Sequence, residues 1–174
     1  MSNIPPCVVF SGPSGSGKTT LVEKVIARLS SNGLKVGAIK KSHHKVDIDK
    51  PGKDSFRFRE AGANPTVITS SGFTAFMEST PEPPPLSTLL ARFEGKADIV
   101  IVEGYKDETF PMLAFASESG GVPKGAAGLI IADPHGGKLA EKSVVPMFHR
   151  DDVDGIVNWI FKNIIPNFKE RADD

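Results

Sequence analysis

Residues 12–19 are Gly12-Pro13-Ser14-Gly15-Ser16-Gly17-Lys18-Thr19, which match the phosphate-binding pattern G-x-x-x-x-G-K-[ST] at every fixed position. A short apolar run at 7–10 comes before this stretch. Apolar residues at helical spacing follow it over 18–31, and Asn32-Gly33 is a suitable end for a helix. The sequence therefore predicts a buried strand, a phosphate-binding loop and an amphipathic helix in succession.

The predicted loop has the chemistry of a nucleoside triphosphate site. Its glycines let successive backbone N–H groups point inward, and the following helix N-terminus adds partial positive charge. We expect Lys18 to reach the β- and γ-phosphates and the hydroxyl of Thr19 to bind Mg²⁺. Thr20, the next residue, is also expected to contact the nucleotide.

A site of this kind needs a second metal-side acid at the end of a buried strand. Glu103 ends the most apolar predicted strand, residues 98–103, and precedes a glycine that would let the backbone approach a ligand. Other candidates follow the second predicted strand and are Asp47, Asp49 and Asp54. Asp98 begins its strand, so in a parallel sheet it should lie at the opposite edge.

The rest of the chain alternates between predicted strands and helices. Further strands are expected at 36–40, 66–69, 73–77, 112–115 and 129–132, and further helices at 54–61, 87–93 and 153–165. Continuous apolar strands that alternate with helices are typical of an α/β fold with a mainly parallel sheet. We expect one P-loop NTPase domain over residues 1–174, with a β-rich arm as a further expectation.

The composition of the chain argues against several classes of protein. The chain has 174 residues, with 21 Lys plus Arg against 21 Asp plus Glu, so a general nucleic-acid binder is not expected. No apolar run is long enough for a membrane span, and no signal peptide is visible. The single cysteine, Cys7, suits a reducing compartment, so we expect a cytoplasmic protein with no membrane or nucleic-acid partner.

A loop rich in lysine and histidine follows the second predicted strand. Lys40, His43 and His44 should emerge at the phosphate edge of a parallel sheet, where they could clamp the γ-phosphate or a second anion. The alternatives are a solvated loop of mixed charge and a transition-metal site at the histidine pair.

Several segments together resemble the molybdopterin-guanine dinucleotide biosynthesis adaptor family, protein B of that pathway. They are the loop GPSGSGKTT, IKKSHHKVDIDKPGKDS at 39–55, REAGA at 59–63 and IVIVEGYK at 99–106. The family pattern falls on Lys40, His43, His44, Asp49, Pro51 to Ser55, Ala61 to Ala63 and Glu103 to Lys106. Many relatives have threonine where this chain has Ser42, which keeps a hydroxyl.

This resemblance implies a GTP-binding adaptor that uses Mg²⁺, hydrolyses GTP weakly and forms a homodimer. It also implies a partner, the molybdenum cofactor guanylyltransferase that joins GMP to the pterin cofactor, and a molybdopterin ligand on the Lys/His loop. Together with the phosphate-binding pattern, the resemblance makes Thr19, Asp49 and Glu103 the candidate metal ligands, and Lys18 and Glu103 the candidate catalytic residues.

Two other functions share the phosphate-binding loop. A small-molecule kinase usually closes an arginine-rich lid over the phosphates, but this chain has only six arginines, of which only Arg57 and Arg59 are close together. A metal-delivery GTPase would use His43 and His44.

Two further expectations concern the base and the oligomer. The N-K-x-D element that reads guanine in many GTPases is absent, so we expect Asp133, after the apolar run 129–132, to accept hydrogen bonds from the guanine N1–H and N2–H₂. The run 73–77 carries more large apolar residues than a bare edge strand tolerates, so we expect it to be covered by a second copy or by the chain itself.

Overall fold

The structure is a computed structural model that describes residues 4–42, 46, 48–107, 109–116, 122–132 and 143–168. The chain divides into two compact units, the first made of Met1–Lys41 with Pro85–Asp174 and the second of Ser42–Pro84. In chain order the elements are β1 (Cys7–Ser11), α1 (Lys18–Ser31), β2 (Val36–Lys40), α2 (Asp54–Glu60), β3 (Thr66–Ser70), β4 (Phe73–Met77), α3 (Leu86–Ala91), β5 (Ile99–Glu103), β6 (Met112–Phe115), β7 (Ala126–Ile131), β8 (Met147–His149) and α4 (Val153–Asn163).

The first unit is built on a parallel sheet. Six of the described strands lie in the order β2-β5-β1-β6-β7-β8, and every neighbouring pair is parallel. Because parallel strands share one direction, the loops after β1, β2 and β5 leave the sheet at the same edge. The predicted α/β fold with a mainly parallel sheet flanked by helices is confirmed.

Both faces of this sheet are covered, which explains the continuous apolar strands. Alternate residues of β1 and β5 enter two separate apolar clusters. One cluster packs against α1 and α4 and the other against α3. Asp152 caps α4 by accepting a 2.9 Å hydrogen bond from the Gly155 N–H.

The second unit contains α2 and the antiparallel hairpin β3–β4. In the hairpin Val67 lies opposite Phe76, and Ser70 lies opposite Phe73. The sequence predicted both strands of this hairpin, at 66–69 and 73–77. The large side chains of Val67, Phe73 and Phe76 are exposed on it.

The structure differs from the predicted elements in one missed strand and at the ends of several strands and helices. The strand β8 was not predicted, because it has only three residues, Met147–His149, and Pro146 directly precedes it. It becomes a strand by pairing with β7. The strand β7 begins at Ala126 rather than at 129, since two alanines and a glycine carry little strand signal. No helix in the described part of the chain is long and apolar enough to cross a membrane.

Cys7 provides a test of the core. It is 4% exposed, and burial, with a smaller contribution from the charge of Asp107, raises the pKa of its thiol to about 12. A thiol with that pKa is almost entirely protonated at pH 8, and the thiolate is the form that reacts. We therefore expect Ellman's reagent to modify Cys7 slowly in the native protein and rapidly in urea. Rapid modification of the folded protein would contradict the buried position of β1.

Candidate nucleotide-binding site

The phosphate-binding loop lies where the sequence placed it, between β1 and α1. Gly17 precedes the first residue of α1 with a φ of 85°, and no side chain caps this helix end. That backbone conformation is left-handed, so glycine is required for the loop to enter the helix. The uncapped N–H groups of the first turn are available to an anion, as the loop's chemistry predicts.

Lys18 lies against its own loop. Its ammonium donates to the carbonyl oxygen of Pro13 and, at 3.4 Å, to the hydroxyl oxygen of Ser16. These neutral acceptors hold the charge over the loop, and phosphate oxygens are stronger partners for an ammonium group. The ammonium group of Lys18 is therefore held over residues 13–16 of its own loop.

Two side chains distant in sequence meet at Glu103. This residue ends β5 and is 5% exposed. The hydroxyl of Thr19, 84 residues away, lies 3.2 Å from both carboxylate oxygens, and the ammonium of Lys40, 63 residues away, forms an ion pair with Oε1. The sheet register causes this convergence, because Glu103 lies opposite Phe10 on β1 and opposite Lys40 on β2.

The chemistry of this cluster fits Mg²⁺. A hydroxyl and a carboxylate are hard oxygen donors, and they lie together beside the loop. Within the described ranges no group of three or more His, Cys, Asp and Glu residues could hold a metal. Mg²⁺ commonly binds through one or two protein oxygens together with phosphate oxygens and water, so a pair of donors such as Thr19 and Glu103 would fit this ion.

The turn after β5 is locked against the end of β2. Gly104 has a φ of 92°, and a Cβ at this position would clash with the carbonyl oxygen of Lys41. The Lys41 N–H donates to the carbonyl oxygen of Glu103 at 2.8 Å, and its ammonium lies 5.0 Å from the centre of the Tyr105 ring. Burial raises the pKa of Tyr105, so its hydroxyl stays protonated. These contacts explain why glutamate, glycine and tyrosine follow one another at residues 103–105: each of them contacts Lys41.

Asp49, a predicted metal ligand, belongs to the second unit. Its Oδ1 accepts hydrogen bonds from the Ser55 hydroxyl at 2.9 Å and from the Lys50 N–H at 3.0 Å. Its Oδ2 lies 3.4 Å from Nε of Arg59. The carboxylate thus closes the Pro-Gly-Lys-Asp-Ser loop on α2, a role that the sequence analysis missed. Metal binding by Asp49 stays a prediction.

Other predicted residues have different outcomes. Asp98 directly precedes β5, at the edge of the sheet opposite the phosphate-binding loop, where its carboxylate accepts a hydrogen bond from the Lys35 N–H at 2.7 Å. The placement of Asp98 away from the site is therefore confirmed. His43, His44, Asp47 and Asp133 lie outside the described residues, and their roles stay predictions.

Comparison with known proteins identifies relatives along most of the chain. The family described as molybdopterin guanine dinucleotide synthesis protein B matches residues 7–128. The molybdopterin-guanine dinucleotide biosynthesis adapter protein of Haemophilus influenzae is 42% identical over 114 residues, which cover 65% of this chain and 64% of that protein. The protein of the same name from Escherichia coli is 35% identical over 165 residues, which cover 89% of this chain and 91% of that protein.

Solved structures agree with these matches. The crystal structure of Bacillus subtilis MobB has a TM-score of 0.72 at 25% identity and covers 91% of this chain and 98% of its own. The MobB protein homolog from Bacillus stearothermophilus has a TM-score of 0.69 at 26% identity and covers 92% of this chain and 99% of its own. Since the family match covers well over half of the residues, the chain belongs to the molybdopterin guanine dinucleotide synthesis protein B family.

Proposed function

We propose that this protein is a GTP-binding adapter that assists the attachment of GMP to molybdopterin. Membership of the family gives the chain a role in molybdenum cofactor biosynthesis, and the relatives are named as adapter proteins. The observation that carries the nucleotide part of the proposal is the convergence of Thr19 and Glu103 beside the phosphate-binding loop. A single cysteine and the biosynthetic role favour the cytoplasm.

The described residues suggest how the nucleotide is held. Lys18 would exchange the Pro13 carbonyl for β- and γ-phosphate oxygens, and the backbone of 12–20 would donate to the phosphates. Thr19 and Glu103 would hold Mg²⁺, which supplies charge neutralisation at the β- and γ-phosphates. Glu103 supplies one buried carboxylate to orient water, which suits slow hydrolysis.

The partner proposed for the adapter is the guanylyltransferase that uses GTP. The test is a pull-down of that enzyme on the immobilised full-length chain, with GTP, with a non-hydrolysable GTP analogue and without nucleotide. We expect capture to depend on nucleotide and to lose that dependence in Lys18→Ala. Absence of capture under all three conditions would contradict the adapter role.

The base preference has a separate test. Adenine cannot donate from N1, whereas a carboxylate accepts both guanine donors, so Asp133→Asn should weaken GTP binding relative to ATP binding. A lost discriminating contact is worth about 1–3 kcal/mol, which predicts a GTP-over-ATP preference narrowed by about fivefold or more. Calorimetry with both nucleotides measures the ratio. An unchanged ratio removes Asp133 as the base reader, and equal affinities in the wild type remove guanine specificity.

Homodimerisation is also part of the proposal. Phe73 and Phe76 are 63% and 56% exposed on the hairpin of the second unit, which is unusual for large aromatic side chains. We expect light scattering to report twice the chain mass of 18.6 kDa at micromolar concentration. The double variant Phe73→Ser/Phe76→Ser should be monomeric, whereas Val144→Ser, which removes an exposed apolar side chain from the first unit, should not change the mass. A monomeric wild type would contradict the prediction.

A further inference from the structure

The carboxylate of Glu103 is buried in a position where an unpaired negative charge would be unfavourable. A buried ion that loses its partner strongly destabilises a fold. In this structure the ammonium of Lys40 supplies the only formal positive charge paired with Glu103 among the described residues, while Thr19 donates a neutral hydrogen bond. Lys40 is therefore the counterion of Glu103 when no metal is bound.

The sheet fixes the backbone position of Lys40, but it leaves the side chain partly exposed. It is the last residue of β2 and lies directly opposite Glu103 in the parallel register. Its side chain is 55% exposed, whereas that of Glu103 is 6% exposed. The lysine can thus rotate toward solvent or phosphate without disturbing the core, and the carboxylate cannot.

We propose that Lys40 is an exchangeable counterion: its ammonium pairs with the Glu103 carboxylate in the absence of Mg²⁺ and moves away when Mg²⁺ binds. The inference rests on the proposed function, because it describes what Lys40 does when Mg²⁺ binds at the proposed nucleotide site. A divalent cation held by Thr19 and Glu103 would face the Lys40 ammonium at short range, and like charges at that distance repel. Binding of the cation therefore requires the ion pair between Lys40 and Glu103 to open.

This exchange predicts a different result from a role in which Lys40 only binds phosphate. If Lys40 competes with Mg²⁺ for Glu103, removing its charge strengthens Mg²⁺ binding. If Lys40 only contacts phosphate, the main effect of removing its charge is weaker nucleotide binding, and any loss of stability does not depend on Glu103. The two roles thus predict different results for one variant.

The experiment compares Lys40→Met with Lys35→Met in the full-length protein. Lys35 directly precedes β2, so its variant loses the same charge next to the other end of the strand. Mg²⁺ is titrated by calorimetry into protein saturated with a non-hydrolysable GTP analogue. We expect Mg²⁺ to bind Lys40→Met about fivefold more tightly than wild type, and Lys35→Met to resemble wild type. Lys40→Gln should behave as Lys40→Met does, so a folding defect of one variant does not remove the test.

The Glu103→Gln variant shows whether the effect of Lys40→Met depends on the charge of Glu103. In EDTA and without nucleotide, Lys40→Met should lower the melting temperature by about 4 °C or more, because Glu103 loses its counterion. In the Glu103→Gln background the same change should lower it by much less. An equal fall in both backgrounds, or an unchanged or weaker Mg²⁺ affinity in Lys40→Met, would overturn the exchange. A wild type that binds neither GTP analogue nor Mg²⁺ would instead overturn the proposed function, and the exchange with it.

Discussion

Replacing Lys18 with alanine is expected to remove tight nucleotide binding and to leave the fold intact. The described partners of its ammonium, Pro13 and Ser16, belong to its own loop, so their loss does not disturb the core. A charge-assisted hydrogen bond is worth about 1.5–3 kcal/mol, which corresponds to a loss of affinity of roughly tenfold or more. Calorimetry with GTP measures the affinity, and thermal unfolding measures the fold.

A matched control separates this contact from a general charge effect. Lys24 lies on the same helix and pairs on the surface with Asp151 at 3.7 Å. Lys24→Ala removes the same charge away from the loop and should leave nucleotide affinity within about twofold of wild type, as expected for an exposed charge. If Lys18→Ala binds triphosphate as tightly as Lys24→Ala does, residues 12–19 are not a phosphate site.

Replacing Glu103 with glutamine is expected to impair Mg²⁺-dependent hydrolysis more than nucleotide binding. Glutamine keeps the shape and can still accept from Thr19, but it removes the negative charge that would hold Mg²⁺ or orient water. We expect phosphate release at saturating GTP to fall by about tenfold or more, as for other preorganised groups that stabilise developing charge. GTP affinity measured without Mg²⁺ should change much less.

The control for this variant lies at the other end of the same strand. Asp98→Asn keeps an oxygen that can accept the Lys35 N–H, and it lies at the edge of the sheet away from the loop. Its hydrolysis rate should equal that of the wild type. Equal rates in Glu103→Gln and wild type would remove Glu103 from the site.

Much of the site could be predicted because its signals are local. The spacing of glycines, Lys18 and Thr19 defines the loop, and Glu103 is marked by the apolar run that it ends. The role of Asp49 could not be predicted in the same way. Acidic residues after a strand suggest a metal site. The actual partners of Asp49 are Ser55 and Arg59, and both come close to its carboxylate only when α2 forms.

The sequence by itself determined the strand, loop and helix at the start of the chain and the α/β class. Backbone propensity and side-chain period act over a few residues, and they are visible without tertiary contacts. The same limit explains the missed β8, whose three residues become a strand through their pairing with β7.

Only the tertiary structure decided that Thr19 and Lys40 share one buried carboxylate. Each residue lies at the end of its own element, and the residue types do not say which ends meet. The order β2-β5-β1 and its register bring Lys40 and the loop after β1 to the two sides of Glu103. Strand order depends on how the two faces of the sheet are covered by helices from distant parts of the chain, and no local sequence pattern contains that information.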